Sequence, residues 1–366
     1  MDTSGAGAEA AGVDDHIQSV SGLSDSLLRQ LRQSLQRIDE INRITRIISM
    51  NARIEAVRIG AAGRSFGVIA QEMETLSRRV SETSAEIDRM AGHTSGDLRQ
   101  RLDRLRDDVR RTRLTDLALA NIDLIDRNLY ERSCDVRWWA TDAAVVAAAQ
   151  DPRPAALAHA SQRLGQILDS YTVYFDLVLA DLQGQVLANG RPERYRSAGQ
   201  SVAQQEWFQG ARGTRSGEEF GFQSMHASPL AGGERVLVYS CTVREGGRVH
   251  GRPLGVLGIV FRWDALAQTV VERTPLSEAE WRRSRVCIVD PQGRVLADTR
   301  GQAGGSLEFD GRAALFAQPR AALRVELEGR PHCIAQAASP GYETYRTGWH
   351  CVVLQAEDEA AAAGIA

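Results

Sequence analysis

The chain has 366 residues, 43% of them hydrophobic, and a formal net charge of −3. That length suggests two or three domains and that hydrophobic content supports real cores. The near-neutral balance leaves no electrostatic footprint for a nucleic acid, and all 44 basic residues are arginine, a mark of genome composition more than of function. Five scattered cysteines, Cys134, Cys241, Cys287, Cys333 and Cys351, form no C-x-x-C pair, which reads as reduced buried thiols and not as a disulfide frame or metal site. The longest apolar run, 254–261, is too short to span a bilayer. The acidic start MDTSGAGAEAAGVDD lacks the basic and apolar regions of a signal peptide. A cytoplasmic protein is therefore expected.

Residues 1–23 are small, polar and acidic and are expected to be disordered. Ser24 or Asp25 can cap a first helical arm, along which Leu28, Leu31, Leu35, Ile38, Ile41, Ile44 and Ile48 recur every three or four residues. Gly60-Ala61-Ala62-Gly63 marks a tight turn. Beyond it Phe66, Ile69, Met73, Leu76 and Val80 repeat the same spacing. A heptad seam on each arm predicts an antiparallel coiled-coil hairpin over 24–97, with Glu72, Glu74, Glu82 and Glu86 on a solvated face. A weak patch at 91–96 predicts a hinge or kink. A connecting helix follows over 98–150, and its interleaved Arg and Asp argue against phosphate binding.

The residues at the turn resemble the signalling tip of methyl-accepting chemotaxis receptors. Asn51-Ala52, Ile54-Glu55-Ala56, Arg58, Gly60, Gly63-Arg64, Phe66, Val68, Ala70, Glu72 and Leu76 carry the match. The departures are Ile44-Thr45-Arg46, Arg53, Ile59, Ala61 and Ser65. The resemblance implies that Asn51, Glu55, Arg58, Phe66 and Val68 form a tip where receptor dimers pack and where a histidine kinase and its coupling protein dock.

From 151 the period changes. Asp151-Pro152-Arg153-Pro154 ends the helical pattern, and a short helix occupies 157–170. Strands are expected at 175–180, 185–188, 219–226, 235–243 and 254–263, then at 285–290, 295–298, 322–328, 332–337 and 349–355. The segment LVLADLQGQVLAN recurs as VCIVDPQGRVLAD, an internal repeat of one hairpin unit. FDLVLADLQGQVLAN, QQEWFQGA, PLGVLGIVFRW, VCIVDPQGRVLAD and TGWHCVVLQ, in that order, resemble a double Cache sensor domain. The resemblance implies two PAS-like antiparallel sheets stacked along a long helix, with modules at 151–275 and 276–358 and a flexible tail at 359–366. The fold class expected is thus α+β. It also implies a small-ligand pocket in the first module, for which Tyr174, Trp207, Arg212, Phe222, His226 and Tyr239 are the candidate lining residues. Trp207 and Tyr239 read equally well as core, His226 as a satisfied strand residue, and Arg212, between Gly210 and Gly213, as a solvated side chain. Amino-acid-binding members place an Arg two positions before the Trp of the W-F pair; here that position is Gln205, and the later strands supply His226 and Val260 where acids would be expected.

Enzyme motifs are missing: there is no G-x-S-x-G, H-E-x-x-H or Walker loop, and the seven histidines have no ligand spacing. No cofactor or metal is expected. The sequence reads as a cytoplasmic chemoreceptor-like transducer and homodimer, sensing a small molecule in its Cache region and signalling through the hairpin tip. The alternative is a scaffold protein that dimerises or joins receptor arrays through the hairpin, with an empty Cache module. Arg46, Arg53 and Ala61 favour that alternative.

Overall fold

Helix α1 (Ser4–Ile59) and helix α2 (Arg64–Trp139) are joined by a 3-10 turn, Gly60–Gly63. The computed structural model describes residues 4–357. It divides into two compact units, Met1–Arg110 and Arg111–Ala366. Helix α1 starts well before the expected Ser24, across residues expected to be disordered; the alanines and glutamate there favour helix and no proline interrupts them. The expected flexible tail lies outside the described residues. Helix α2 passes unbroken through 91–96, where a hinge was expected. Among the described residues no helix is long and apolar enough to cross a membrane.

In the first unit the two arms meet along an unexpected line. Within 24–94 the buried residues are Leu35, Asn42, Ser49 and Ala56 on α1 and Ala70, Ser77 and Ser84 on α2, with Gly63 between the two series. Each series advances by seven, the repeat that keeps one helix face against a partner. Of the large residues assigned to the seam only Leu35 is buried; Ile41 is 64% exposed, Ile48 55%, Phe66 64% and Leu76 61%. Small side chains win the contact because they let the two backbones approach and satisfy each other. Asn42 Nδ2 donates to Ser77 O and to Ser81 Oγ, each at 2.7 Å, and Ser49 Oγ donates to Ala70 O at 2.5 Å. At the turn Gly60 has φ +69°, and a Cβ on Gly63 would sit 2.3 Å from Ala56 O. Arg32 with Asp88 and Arg99 with Asp25 pair across the arms farther from the turn.

The second unit is built on the later part of α2. Leu114, Ala118, Ile122, Ile125, Leu129 and Val136 are buried, a stripe at helical spacing. Helix α2 ends at Trp139, and Asp142 caps α3 (Ala143–Gln150) by accepting from Ala144 N at 2.9 Å. Helix α4 (Pro154–Asp169) follows, with proline in its first turn, where its missing N–H costs nothing.

Strand β1 (Tyr174–Asp181), β2 (Val186–Asn189), helix α5 (Glu206–Arg212), β3 (Gly221–Ala227), β4 (Arg235–Arg244) and β5 (Pro253–Phe261) form the first module. Helices α6 (Trp263–Glu272) and α7 (Glu278–Trp281) lead to β6 (Ser284–Val289), β7 (Val295–Asp298), α8 (Arg312–Phe316), β8 (Arg320–Leu327), β9 (Arg330–Ala338) and β10 (His350–Ala356). The first sheet has the order β2-β1-β5-β4-β3 and the second β7-β6-β10-β9-β8, all neighbours antiparallel. The sequence repeat is therefore a repeat of topology. Its turns match in detail: Asp181 Oδ1 accepts from Gln183 N and Gln185 N, and Asp290 Oδ1 accepts from Gln292 N and Arg294 N. One face of each sheet joins α2 in a single core through residues such as Leu177, Leu257, Ile259, Ile288, Ala335 and Val353. The opposite face of the first sheet packs on α5 and that of the second on Leu307 and Leu315.

Candidate functional site

The first unit presents the tip. Asn51, Glu55, Arg58, Phe66 and Val68 are all exposed beside the glycine turn. Arg58 Nη1 lies 3.4 Å from Glu55 Oε2, one helical turn away. Ile54, Val57 and Ile59 are exposed with them, so the end of the hairpin is apolar and carries a few charges. Arg53, one of the departures from the receptor pattern, pairs with Glu74 across the arms at 3.0 Å. Both partners are about half exposed, so the pair contributes little to stability. A groove of about 580 Å³ runs along this part of the hairpin, lined by Asn42, Arg43, Arg46, Ile47, Met50 and Arg53 among others.

In the first module the six candidate lining residues do not form one pocket. Side chains alternate between faces along a strand. Tyr174, Tyr239 and Phe222 fall on the face that packs toward α2, whereas Trp207 packs on the opposite face with α5. Arg212, at the end of α5, is exposed and its guanidinium lies 6.0 Å from the Phe208 ring centre. His226 is half-buried; its Nδ1 is 2.8 Å from Ser224 O and its Nε2 is buried without a hydrogen-bond partner. A single ligand cannot touch both sheet faces at once, so the set expected from the sequence is corrected on this point.

The α5 face is closed by direct contact. A Cβ on Gly258 would sit 2.8 Å from the Trp207 ring, so glycine is what lets that ring lie on β5. Ser240 Oγ donates to Trp207 O and Thr242 Oγ1 to Ala211 O, each at 2.6 Å, which fastens α5 to β4. Helix α5 thus sits on the sheet through its own backbone carbonyls.

On the other face the tyrosines are tie points. Tyr174 OH donates to Asp135 Oδ2 of α2 at 2.5 Å. Burial pushes the Asp135 carboxyl up, against the lowering effect of the Tyr174 bond and Arg132. Arg132 is buried, 7% exposed, and lies 5.4 Å over the Tyr174 ring. Tyr239 OH and Tyr345 OH are 2.5 Å apart, which joins β4 of the first module to the loop after β9 in the second. Burial raises both phenols well above their ordinary range, so both stay protonated.

A second tie was not legible as a site. Asp126 of α2 is fully buried. Its Oδ2 accepts from Ser339 Oγ at 2.5 Å and Gly341 N at 2.8 Å, and its Oδ1 from Thr347 Oγ1 at 2.8 Å and Thr347 N at 3.4 Å. One signal could have found it: Asp126 is the acid within the apolar stripe, four residues after Ile122 and three before Leu129. Asn121 adds a bond to Thr274 Oγ1 at 2.8 Å. The arrangement can transmit displacement between either sheet and α2.

Comparison with known proteins fits this architecture. A Cache domain family model matches residues 11–363. The sensory domain of the Campylobacter jejuni chemoreceptor Tlp3 superposes with a TM-score of 0.52 at 13% identity, covering 69% of this chain and 95% of that one. The ligand-binding domain of the Pseudomonas fluorescens chemoreceptor CtaA, solved with L-isoleucine, gives 0.50 at 17% identity over 71% of this chain and 98% of that one. At those identities the likeness is one of fold. The methyl-accepting chemotaxis protein PcaY of Pseudomonas putida is 36% identical over 77 residues, which are 21% of this chain and 14% of that protein.

Proposed function

Because the chain belongs to the Cache domain family, we propose that it is a chemoreceptor-type signal transducer. A small molecule bound by the Cache region biases α2, and α2 carries the bias to the hairpin tip, where a histidine kinase and its coupling protein dock. The observation that carries this reading is the division of labour in the hairpin. Small residues pack the two arms together, and the large ones, Ile41, Ile48, Phe66 and Leu76, are left exposed. Exposed apolar surface on that scale marks an interaction site, and a second copy presenting the same stripes completes a four-helix bundle. The coiled-coil hairpin is then the output module of a homodimer, working in the cytoplasm where such kinases are. One helix, α2, supplies both the return arm of the hairpin and the apolar stripe of the Cache core. A ligand acts by binding one arrangement of that helix more tightly than another.

The test is a pull-down of the purified chain with the coupling protein and histidine kinase of the same cell, comparing wild type with the Glu55→Ala/Arg58→Ala double variant. Wild-type capture that the variant loses supports the transducer. No wild-type capture, with a homodimer still present by light scattering, sinks the signalling step and leaves the hairpin as a scaffold for dimerisation.

A further inference from the structure

A recess of about 390 Å³ opens where the end of α2 meets α3 and α4. Trp138, Trp139 and Tyr171 line it, with Asp142, Arg163 and Gln166. Its size suits a small ligand. Trp138 is 71% exposed, while Trp139, Trp207, Trp263 and Trp349 are at most 5% exposed. A large ring held in water has nothing to gain there from the fold itself. Trp139 and Tyr171 stand edge to face, with centroids 5.2 Å apart and planes at 74°, so two of the aromatic walls are fixed. Arg163 Nε donates to Asp142 Oδ2 at 2.8 Å, and Asp142 Oδ1 is held by Ala144 N. That pair positions the guanidinium and leaves its outer edge unspent: Nη1 reaches only Gln166 Oε1, at 3.5 Å, and Nη2 has no protein partner among the described residues.

We infer that this recess binds a small aromatic monocarboxylate, with its ring against Trp138 and Tyr171 and its carboxylate on the free edge of Arg163. Guanidinium N–H groups match a carboxylate in charge and in planar geometry. Aromatic rings gain from edge and offset contacts with a flat ligand. Asp142, bonded to the same guanidinium, repels a second negative charge, so a dicarboxylate is selected against. A neutral ring leaves the Arg163 donors without an acceptor. Trp139 also packs on Tyr174, with centroids 5.5 Å apart at 82°, and Tyr174 bonds Asp135 of α2. An occupant would therefore touch the aromatic cluster tied to α2. This last link rests on the signalling reading; binding itself does not.

The experiment titrates benzoate, benzamide and phthalate into the full chain, followed by calorimetry and tryptophan fluorescence. Benzoate saturates in the millimolar range or below, and benzamide and phthalate bind about tenfold more weakly or not at all. Arg163→Gln and Trp138→Ala each weaken benzoate by about tenfold, and Arg212→Gln, on α5, changes nothing. Both altered residues are substantially exposed, and thermal melts by circular dichroism check that the variants fold. The inference is overturned by no saturation up to about 10 mM benzoate, by binding that Arg163→Gln and Trp138→Ala leave intact, or by binding that Arg212→Gln removes. No kinase enters this assay, so a failed titration and a failed pull-down are separate results.

Discussion

Replacing Asp126 tests how the second module is held to α2. Its buried carboxylate accepts four hydrogen bonds, from Ser339 Oγ, Gly341 N, Thr347 Oγ1 and Thr347 N. In Asp126→Ala the two hydroxyls can turn to other acceptors, but Gly341 N and Thr347 N cannot. An unsatisfied buried donor costs about 1–3 kcal/mol, and a bond to a charged group contributes about 1.5–3 kcal/mol. Four bonds to one carboxylate are not additive, so the expected loss is about 2–4 kcal/mol. For a unit of this size that lowers Tm by about 5–15 °C. Asp126→Asn keeps one acceptor oxygen and sets an amide N–H against a remaining donor, so its loss is smaller, about 1–2 kcal/mol. Urea unfolding followed by tryptophan fluorescence is the assay, because all six tryptophans, Trp138 to Trp349, belong to the second unit. A double-mutant cycle with Ser339→Ala isolates the shortest bond. A loss under about 0.5 kcal/mol in Asp126→Ala would refute the reasoning, since surface substitutions alone produce that much.

Three further outcomes are expected. Gly258→Ala sets a Cβ against the Trp207 ring at 2.8 Å and should cost about 1–3 kcal/mol by overpacking, read from the urea midpoint; an unchanged midpoint would mean that α5 lifts freely. Ile41→Glu/Leu76→Glu on the exposed stripes should leave helix content near wild type while shifting the light-scattering mass from dimer to monomer; a wild type that is monomeric at every concentration removes the stripe's role. The pH dependence of stability should separate two buried groups. Burial raises the Asp176 carboxyl to about 6, above an unfolded value near 3.9, so its contribution is complete below the unfolded value and is lost as pH rises toward 6. Burial lowers the His350 imidazole to about 4, so its contribution is present above about 6.5 and is lost as pH falls toward 4. The two slopes oppose, and Asp176→Asn should make stability rise more steeply with pH between about 4 and 6 than in wild type. Parallel curves would exclude Asp176 as the source.

The sheets were the most legible part of the chain. Short apolar runs bounded by the repeated Asp-x-x-Gly turns marked the strands, because a run of that length between turn residues is too short for a helix. The hairpin was legible as two arms and a turn but not in its seam. Ile38, Ile41, Ile44 and Ile48 carry the strongest periodicity in α1, and periodicity alone cannot say whether a stripe faces the partner arm or another molecule. Asn42, Ser49, Ser77 and Ser84, which the structure buries, are polar enough to read as surface. The candidate pocket failed for a different reason. Tyr174, Trp207 and Tyr239 were grouped by residue type, whereas Tyr174 and Tyr239 face α2 and Trp207 belongs to α5, which covers the opposite sheet face. Asp126 and Asp135 were passed over because an acid on a helix ordinarily faces water, and their partners, Ser339 and Tyr174, are distant in sequence.

The seam of Asn42, Ser49 and Ala56 against Ala70, Ser77 and Ser84 also restricts how the gene can change. One residue inserted into α1 between Asn42 and Ser49 would rotate everything on its far side by about 100°, and bulky neighbours would meet where only a serine fits. The arms can therefore lengthen or shorten only in blocks of seven, and each block must appear in both arms at matching distances from Gly60–Gly63. Single-codon insertions and deletions that a surface loop would absorb are excluded along this stretch, so its length should drift in paired steps.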